Sequence, residues 1–252
     1  MDGTWGLTDK RVLVAGASSG IGRKTAEVLA SMHAKVVMVA RREEKLDEVL
    51  KNLDYTGHSY YAADLAELDK IDSLIKQIAS EQGTLDGMVY CSGIDGSRPV
   101  AISKPDFVSQ MMKVNFMGFF EMVRCVTKRG RFNKGLSIVG LSSCAVLSGT
   151  KSQSVYCATK AAMDAAVRIM AQEYADKGVR VNTIRPGMIK TDMYERLIEK
   201  VGEDYNKGLF EQQFLGIGET GDVANMIAFL LSPMAKFVTG AHFSVDGGNT
   251  CH

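Results

Sequence analysis

The 252-residue chain reads as an α/β fold, a doubly wound sheet of about seven mostly parallel strands with helices on both faces. Three observations predict it. Apolar runs of strand length alternate with longer amphipathic stretches almost to the end, which requires crossover connections and hence a parallel sheet. Several runs, "VVMV" among them, are continuously apolar, as strands covered on both faces are. A glycine-rich turn also follows the first run and opens the first helical pattern.

Taken in order, "RVLVAG" (11–16) is the first strand, and a helical pattern runs from about Gly20 to Met32. "KVVMVA" (35–40) precedes a charged helix through Leu53, and "HSYYAA" (58–63) leads into a helix around 67–81. "LDGMVYCSG" (85–93) is the fourth strand. Ser103 and Asp106 then stand at capping-box spacing, with Pro105 in the first turn, for a long helix reaching about Lys128. "GLSIVGLSS" (135–143), a helix from about Gln153 to Asp176, "VRVNTIRPG" (179–187) and "HFSVDGG" (242–248) complete the alternation. Residues 188–217 depart from it. They hold two short helical patterns and no strand, as expected of a substrate lid. Length and pattern fit a single domain over residues 1–252.

Net charge is +1, so the chain lacks the electrostatic footprint of a nucleic-acid binder or a polybasic membrane surface. "MDGTWGLTDKR" has no apolar signal core and no later run has the length of a membrane span, so a cytoplasmic location is expected. The five cysteines (Cys91, Cys125, Cys144, Cys157, Cys251) form no C-x-x-C pair, which argues against a zinc site or a disulfide framework.

"GASSGIG" places glycines at 16, 20 and 22 where strand turns into helix. Glycine tolerates positive φ and lets a backbone approach a pyrophosphate, while the N–H groups of the helix start supply positive charge. Gly16, Ser18, Ser19, Gly20, Ile21 and Gly22 are therefore the candidate phosphate cradle. At the end of the second strand an acid would bind the ribose hydroxyls of NAD, whereas arginine suits the 2′-phosphate of NADP. The chain has Ala40 there, followed by Arg41 and Arg42, so NADP(H) is preferred over NAD(H). The alternative is that both arginines pair with Glu43 and Glu44 at the surface.

"SVYCATKAAM" (154–163) holds Tyr156 and Lys160 one helical turn apart. A free tyrosine keeps its proton too tightly near neutrality, and a neighbouring ammonium favours the phenolate, so Lys160 is expected to lower the pKa of Tyr156. Tyr156 then serves as general acid or base. Ser142 and Ser143 both follow the fifth strand and either hydroxyl could bind a substrate oxygen. Asn115 is a polar amide in the apolar stretch "MMKVNFMGFF", where a buried hydrogen bond is one explanation.

Together these motifs resemble the short-chain dehydrogenase/reductase family over essentially the whole chain. The matching features are Gly-x3-Gly-x-Gly at 16–22, "DL" at 64–65, "VNFMG" at 114–118, "LSS" at 141–143, "YCATK" at 156–160, "RPGMIKT" at 185–191 and "VTGAHFSVDGG" at 238–248. The resemblance implies a Rossmann-type domain, commonly a homotetramer, and a catalytic tetrad of Asn115, Ser143, Tyr156 and Lys160. It selects Ser143 over Ser142 and gives Asn115 the task of holding a water that relays protons to Lys160. It adds Asp64, Leu65, Gly93, Pro186, Gly187, Ile189 and Thr191 to the cofactor contacts, with Lys160 on the ribose and Ile189 and Thr191 at the nicotinamide carboxamide. Two positions depart from the family pattern: Ala15 replaces a threonine, and Cys91 stands where "NNAG" carries asparagine.

Among family members the chain most resembles 3-oxoacyl-acyl-carrier-protein reductases. The substrate is thus expected to be a small-molecule carbonyl or alcohol, first a 3-oxoacyl thioester, with a hydroxysteroid or polyol as alternative and an acyl carrier protein as candidate partner. Arg129 and Lys177 fall near the positions where such reductases meet their carrier. Met188 and Met193 are candidate substrate contacts, and Tyr194, Leu197, Leu209, Phe210, Phe214 and Leu215 extend the apolar inventory of the lid. A different class, a non-catalytic NADP-binding regulator on the same fold, would have no chemical need for Tyr156 and Lys160 together.

Overall fold

The computed structural model describes residues 4–201 and 212–251. Leu209 and Phe210 lie outside them. Seven parallel strands form one sheet: β1 (Arg11–Ala15), β2 (Lys35–Ala40), β3 (Ser59–Ala62), β4 (Leu85–Tyr90), β5 (Phe132–Leu141), β6 (Arg180–Pro186) and β7 (His242–Val245). Their spatial order is β3-β2-β1-β4-β5-β6-β7. The chain thus winds outward from β1 in one direction, then restarts at β4 and winds in the other. That reversal opens a crevice at the carboxyl ends of β1 and β4, where open α/β sheets place their ligands.

Strand alternation divides the core in two. Val12 and Val14 point to the face covered by α1 (Gly20–Ser31), α2 (Glu43–Lys51) and a helix numbered α9 below, packing with Leu29, Leu46 and Ile227. Leu13 and Ala15 point to the other face, packing with Ile71 of α3 (Leu68–Gln82), Phe119 in the helix Gly118–Val126 and Met163 in the helix Ser154–Glu173. Helix α1 shows the sequence logic well. Its buried residues Gly22, Thr25, Ala26, Leu29 and Ala30 recur at helical spacing and form one stripe toward the sheet.

The long helix expected from Ser103 to Lys128 runs unbroken from Pro105 to Val126, as α4 (Pro105–Met112), a π-turn (Lys113–Met117) and α5 (Gly118–Val126). Its start is not a capping box. The Ser103 hydroxyl donates to the Pro99 carbonyl (3.0 Å), so it closes the preceding turn and leaves α4 to begin after Lys104. The π-turn has a visible cause. Tyr90, fully buried at the end of β4, donates its hydroxyl to the Val114 carbonyl (2.7 Å), and a Cβ at Gly118 would collide with that hydroxyl. Such bulges recur at functional sites, and this one carries Asn115.

A short helix α6 (Ala145–Ser148) precedes α7 (Ser154–Glu173), followed after β6 by α8 (Asp192–Val201) and α9 (Thr220–Leu231). The expected capping box occurs at α9 instead, where Glu219 and Asp222 exchange side-chain and backbone bonds. No helix among the described residues is long and apolar enough to cross a membrane.

Candidate active site

A cleft of about 1340 Å³ lies at the carboxyl ends of the strands, and every predicted catalytic and cofactor-binding residue except Asn115 lines it, together with Met188 and Met193. At its floor the turn between β1 and α1 is built around glycine. Gly16 has φ +87°, and a Cβ there would stand 2.7 Å from the Ser92 amide nitrogen. A Cβ at Gly22 would collide with the Gly16 carbonyl. Ser19 starts α1 without capping it, so no side chain competes for the N–H groups of the first turn. A polyanion fits this cradle.

Arg42 reaches over the cradle and donates to the Ser18 and Ser19 hydroxyls, both at 3.2 Å. Neither Arg41 nor Arg42 pairs with Glu43 or Glu44 among the described residues, so the surface-pair alternative fails. Arg41 is exposed at the cleft rim. Asp64 accepts from the Ala66 N–H (2.9 Å), which shapes the Asp64–Leu65 wall. Cys91 does not disorder the end of β4: its N–H donates to the Ala15 carbonyl (2.8 Å) and its side chain rests against Gly22. Burial pushes its thiol up to about 12, so it acts as a small apolar group. Burial likewise raises Cys144, to about 11, and Cys157, which keeps both as thiols.

Helix α7 delivers Tyr156 and Lys160. Lys160 lies on the buried stripe of the helix, 4% exposed, and donates to the Leu141 carbonyl at the end of β5 (2.6 Å). Burial lowers its pKa to about 8, against the opposing influence of Cys91 and Asp164. Tyr156 moves the other way. Burial raises it to about 12, and a hydrogen bond with Ser143 only partly opposes this. The expected lowering of Tyr156 by Lys160 is therefore not found. Desolvation wins because the ammonium sits 5.8 Å from the ring centroid and is engaged with Leu141.

The two serines separate clearly. Ser142 is buried and its hydroxyl donates to the Lys160 carbonyl (3.4 Å), while Ser143 is half-buried beside Tyr156. The Ser143 oxygen accepts from the Ala145 N–H (3.2 Å), which leaves its own proton to donate. Asn115 is fully buried and grips Ile94 at both ends: its oxygen accepts from the Ile94 N–H (2.8 Å) and its nitrogen donates to the Ile94 carbonyl (3.0 Å). A second donation goes to Thr159 (3.1 Å). Both amide protons are thus spent on protein, the buried hydrogen bond that the sequence allowed. Gly93 lies beside this grip, and a Cβ there would stand 3.4 Å from the Asn115 oxygen and 3.5 Å from the Lys160 nitrogen.

On the facing wall, Pro186, Gly187, Met188, Ile189 and Thr191 follow β6, and the Thr191 methyl lies 3.3 Å from where a Gly20 Cβ would be. Met193, Tyr194 and Leu197 continue the lining. Phe214 and Leu215 do not. Phe214 packs on Gly248 and Leu215 is 88% exposed, because the chain at 215 is tied to the Gly247 carbonyl (3.1 Å) outside the cleft. The sequence reading missed Gln213, whose buried carboxamide binds the Met188 main chain, and Asn249 and Thr250, which bring the C-terminal tail to the cleft. A glutamine signals nothing by periodicity, since its partners are main-chain atoms set by the tertiary fold. Arg129 and Lys177 precede β5 and β6, at the sheet edge opposite the cleft, and Lys177 lies over the Tyr174 ring.

Residues 16–250 match the family model described as enoyl-(acyl carrier protein) reductase. The 3-oxoacyl-[acyl-carrier-protein] reductase of Staphylococcus aureus is 32% identical over 242 residues, covering 95% of this chain and 97% of the relative. A tropinone reductase homolog of Arabidopsis thaliana is 32% identical over 253 residues, covering 99% and 95%. Among solved structures, a short-chain type dehydrogenase/reductase from Mycobacterium ulcerans superposes with a TM-score of 0.89 at 31% identity, covering 98% of this chain and 92% of that one. A glucose/ribitol-type enzyme from Brucella melitensis gives 0.90 at 29% identity, covering 96% and 97%. The fold, the cleft and these similarities converge: the chain belongs to the short-chain dehydrogenase/reductase family of oxidoreductases, related to the 3-oxoacyl-acyl-carrier-protein reductases.

Proposed function

We propose that the protein is an NADP(H)-dependent carbonyl reductase that interconverts a ketone and a secondary alcohol, with a 3-oxoacyl thioester as its first substrate class. The observation that carries this reading is the convergence of Ser143, Tyr156 and Lys160 at the strand ends beside an uncapped, glycine-built helix start. A nicotinamide nucleotide, when bound, supplies or accepts the hydride. The 16–22 turn would hold its pyrophosphate, Arg41 and Arg42 a 2′-phosphate, and Lys160 its ribose.

In reduction, Ser143 donates a hydrogen bond to the substrate oxygen as charge develops there. Tyr156, held protonated by burial, gives its proton to that oxygen. Lys160, with its pKa near 8, stays cationic at neutral pH and stabilises the resulting phenolate. Oxidation of an alcohol reverses these transfers. Asn115 keeps Ile94 in place, next to Gly93, which lies against Lys160.

Met188, Met193, Tyr194 and Leu197 give the lining an apolar character suited to an acyl chain, and the lid expected over 188–217 lies partly outside the described residues, at 202–211. A carrier protein delivering a thioester to this cleft would meet Lys151 and Arg196, which line it, rather than Arg129 and Lys177 at the far edge. A cytoplasmic homotetramer is the expected form. The test is reduced-nicotinamide absorbance with purified protein, NADPH or NADH, and a panel of acetoacetyl thioesters, keto-steroids, aldoses and small diketones. Preferential turnover of acetoacetyl thioester with NADPH supports the proposal. Preference for an aldose or steroid ketone replaces the substrate class, and tight NADPH binding without turnover across the panel favours a regulatory binder.

A further inference from the structure

We infer that Gln213 is a positioning residue for the cofactor-side wall of the cleft. Its carboxamide fixes the main chain at Gly187–Ile189 and thereby the approach of the nicotinamide end of the dinucleotide, so the inference rests on the nicotinamide reading above.

Gln213 is 1% exposed and spends its amide on backbone. The side-chain oxygen accepts from the Met188 N–H (2.9 Å), and the nitrogen donates to the carbonyls of Met188 (3.0 Å) and Gly216 (2.5 Å). Met188 N–H has no other acceptor among the described residues. The space around the side chain is reserved for it. A Cβ on Gly187 would stand 2.5 Å from the Gln213 oxygen, and one on Gly247 would stand 2.8 Å from its Cγ.

The position of Met188 matters beyond itself. Met188, Ile189 and Thr191 all line the cleft, and Thr191 reaches the Gly20 end of the phosphate turn. Backbone bonds from Gly218 N–H to the Met188 carbonyl (3.0 Å) and from Lys190 N–H to the Gly218 carbonyl (2.9 Å) continue the same seam. A hydroxyl has a single proton to give, whereas the carboxamide accepts from the Met188 N–H and donates to two carbonyls at once, and asparagine is one carbon too short. Asn115 holds Ile94 across the cleft by the same chemistry. The two walls are therefore each set by a buried amide on main chain.

The experiment compares Gln213→Met, which keeps volume and removes all three bonds, with Gln213→Glu, which keeps the acceptor and removes both donors. NADPH affinity, kcat, KM and amide hydrogen exchange of the cofactor-free protein are read for each. Both variants are expected to weaken NADPH binding about tenfold, mainly in KM rather than kcat, and Gln213→Met to speed exchange at Met188 about tenfold or more. Folded variants with unchanged NADPH affinity and unchanged Met188 exchange would overturn the inference and leave Gln213 a packing residue. If Gln213→Met does not fold, the NADPH affinity of Gln213→Glu decides. Absence of NADPH binding by the wild type would overturn the proposed function and the cofactor part of this inference. Exchange at Met188 would still read the main-chain part alone.

Discussion

Replacing Lys160 by methionine should stabilise the cofactor-free protein while removing its activity. Lys160 is 4% exposed, and burial lowers its pKa from 10.5 to about 8. At about 1.4 kcal/mol for each factor of ten in the proton equilibrium, keeping the ammonium charged at pH 7 costs the fold about 3 kcal/mol. Methionine removes that cost and fills similar volume, but leaves the Leu141 carbonyl without its donor, a loss of about 1 kcal/mol. The net gain is about 2 kcal/mol, or roughly 5 °C in Tm for a chain of this length.

The pH dependence has a definite sign. Between about pH 8 and 10.5 the unfolded lysine is protonated and the folded one is not, so the stability linked to this group rises with pH across that window. It is fully present above 10.5 and lost as pH falls through about 8. The advantage of Lys160→Met should therefore be full below about pH 8 and fade by pH 10.5. Denaturant unfolding of both proteins at pH 7, 8, 9 and 10 measures it. A variant less stable than wild type at pH 7, or a difference that stays flat across the window, would refute the burial argument.

Other substitutions probe the cofactor cradle and the wall opposite it. Gly22→Ala forces the turn open at the Gly16 carbonyl, so it should cost about 1–3 kcal/mol of stability and weaken NADPH binding about tenfold or more, read by fluorescence titration. Arg41→Asp should weaken NADPH far more than NADH, and equal effects on the two would remove the 2′-phosphate from this site. Asn115→Ala strips three hydrogen bonds from buried groups and should destabilise by about 2–4 kcal/mol, seen as a lower urea midpoint, while slowing turnover through a displaced Ile94.

The parallel strands and the glycine turn were legible because each depends on local pattern: apolar runs for β1, β2 and β4 to β6, and glycine where strand meets helix. The pairing of Tyr156 with Lys160 was legible from helical spacing, whereas spacing left Ser142 and Ser143 open and the family resemblance alone selected Ser143. The hidden features depend on distant contacts. The π-turn exists because Tyr90 and Gly118, far apart in sequence, meet at Val114, and helical periodicity across Lys113–Met117 gives no sign of it. Gln213 is recognisable only once β6 and the 213–218 segment lie side by side. The direction of the Tyr156 shift also needed the structure. Helical spacing brings an ammonium near, but how deeply both groups are buried decides which effect prevails.

The most direct test of the chemistry is Tyr156→Phe, measured for both turnover of the best carbonyl substrate and NADPH affinity. With Tyr156 as the proton donor, kcat should fall by about 10²–10⁴-fold while the NADPH dissociation constant stays within about twofold. A variant that turns over at the wild-type rate would show that Tyr156 is not the general acid and that the proton comes from elsewhere in the cleft.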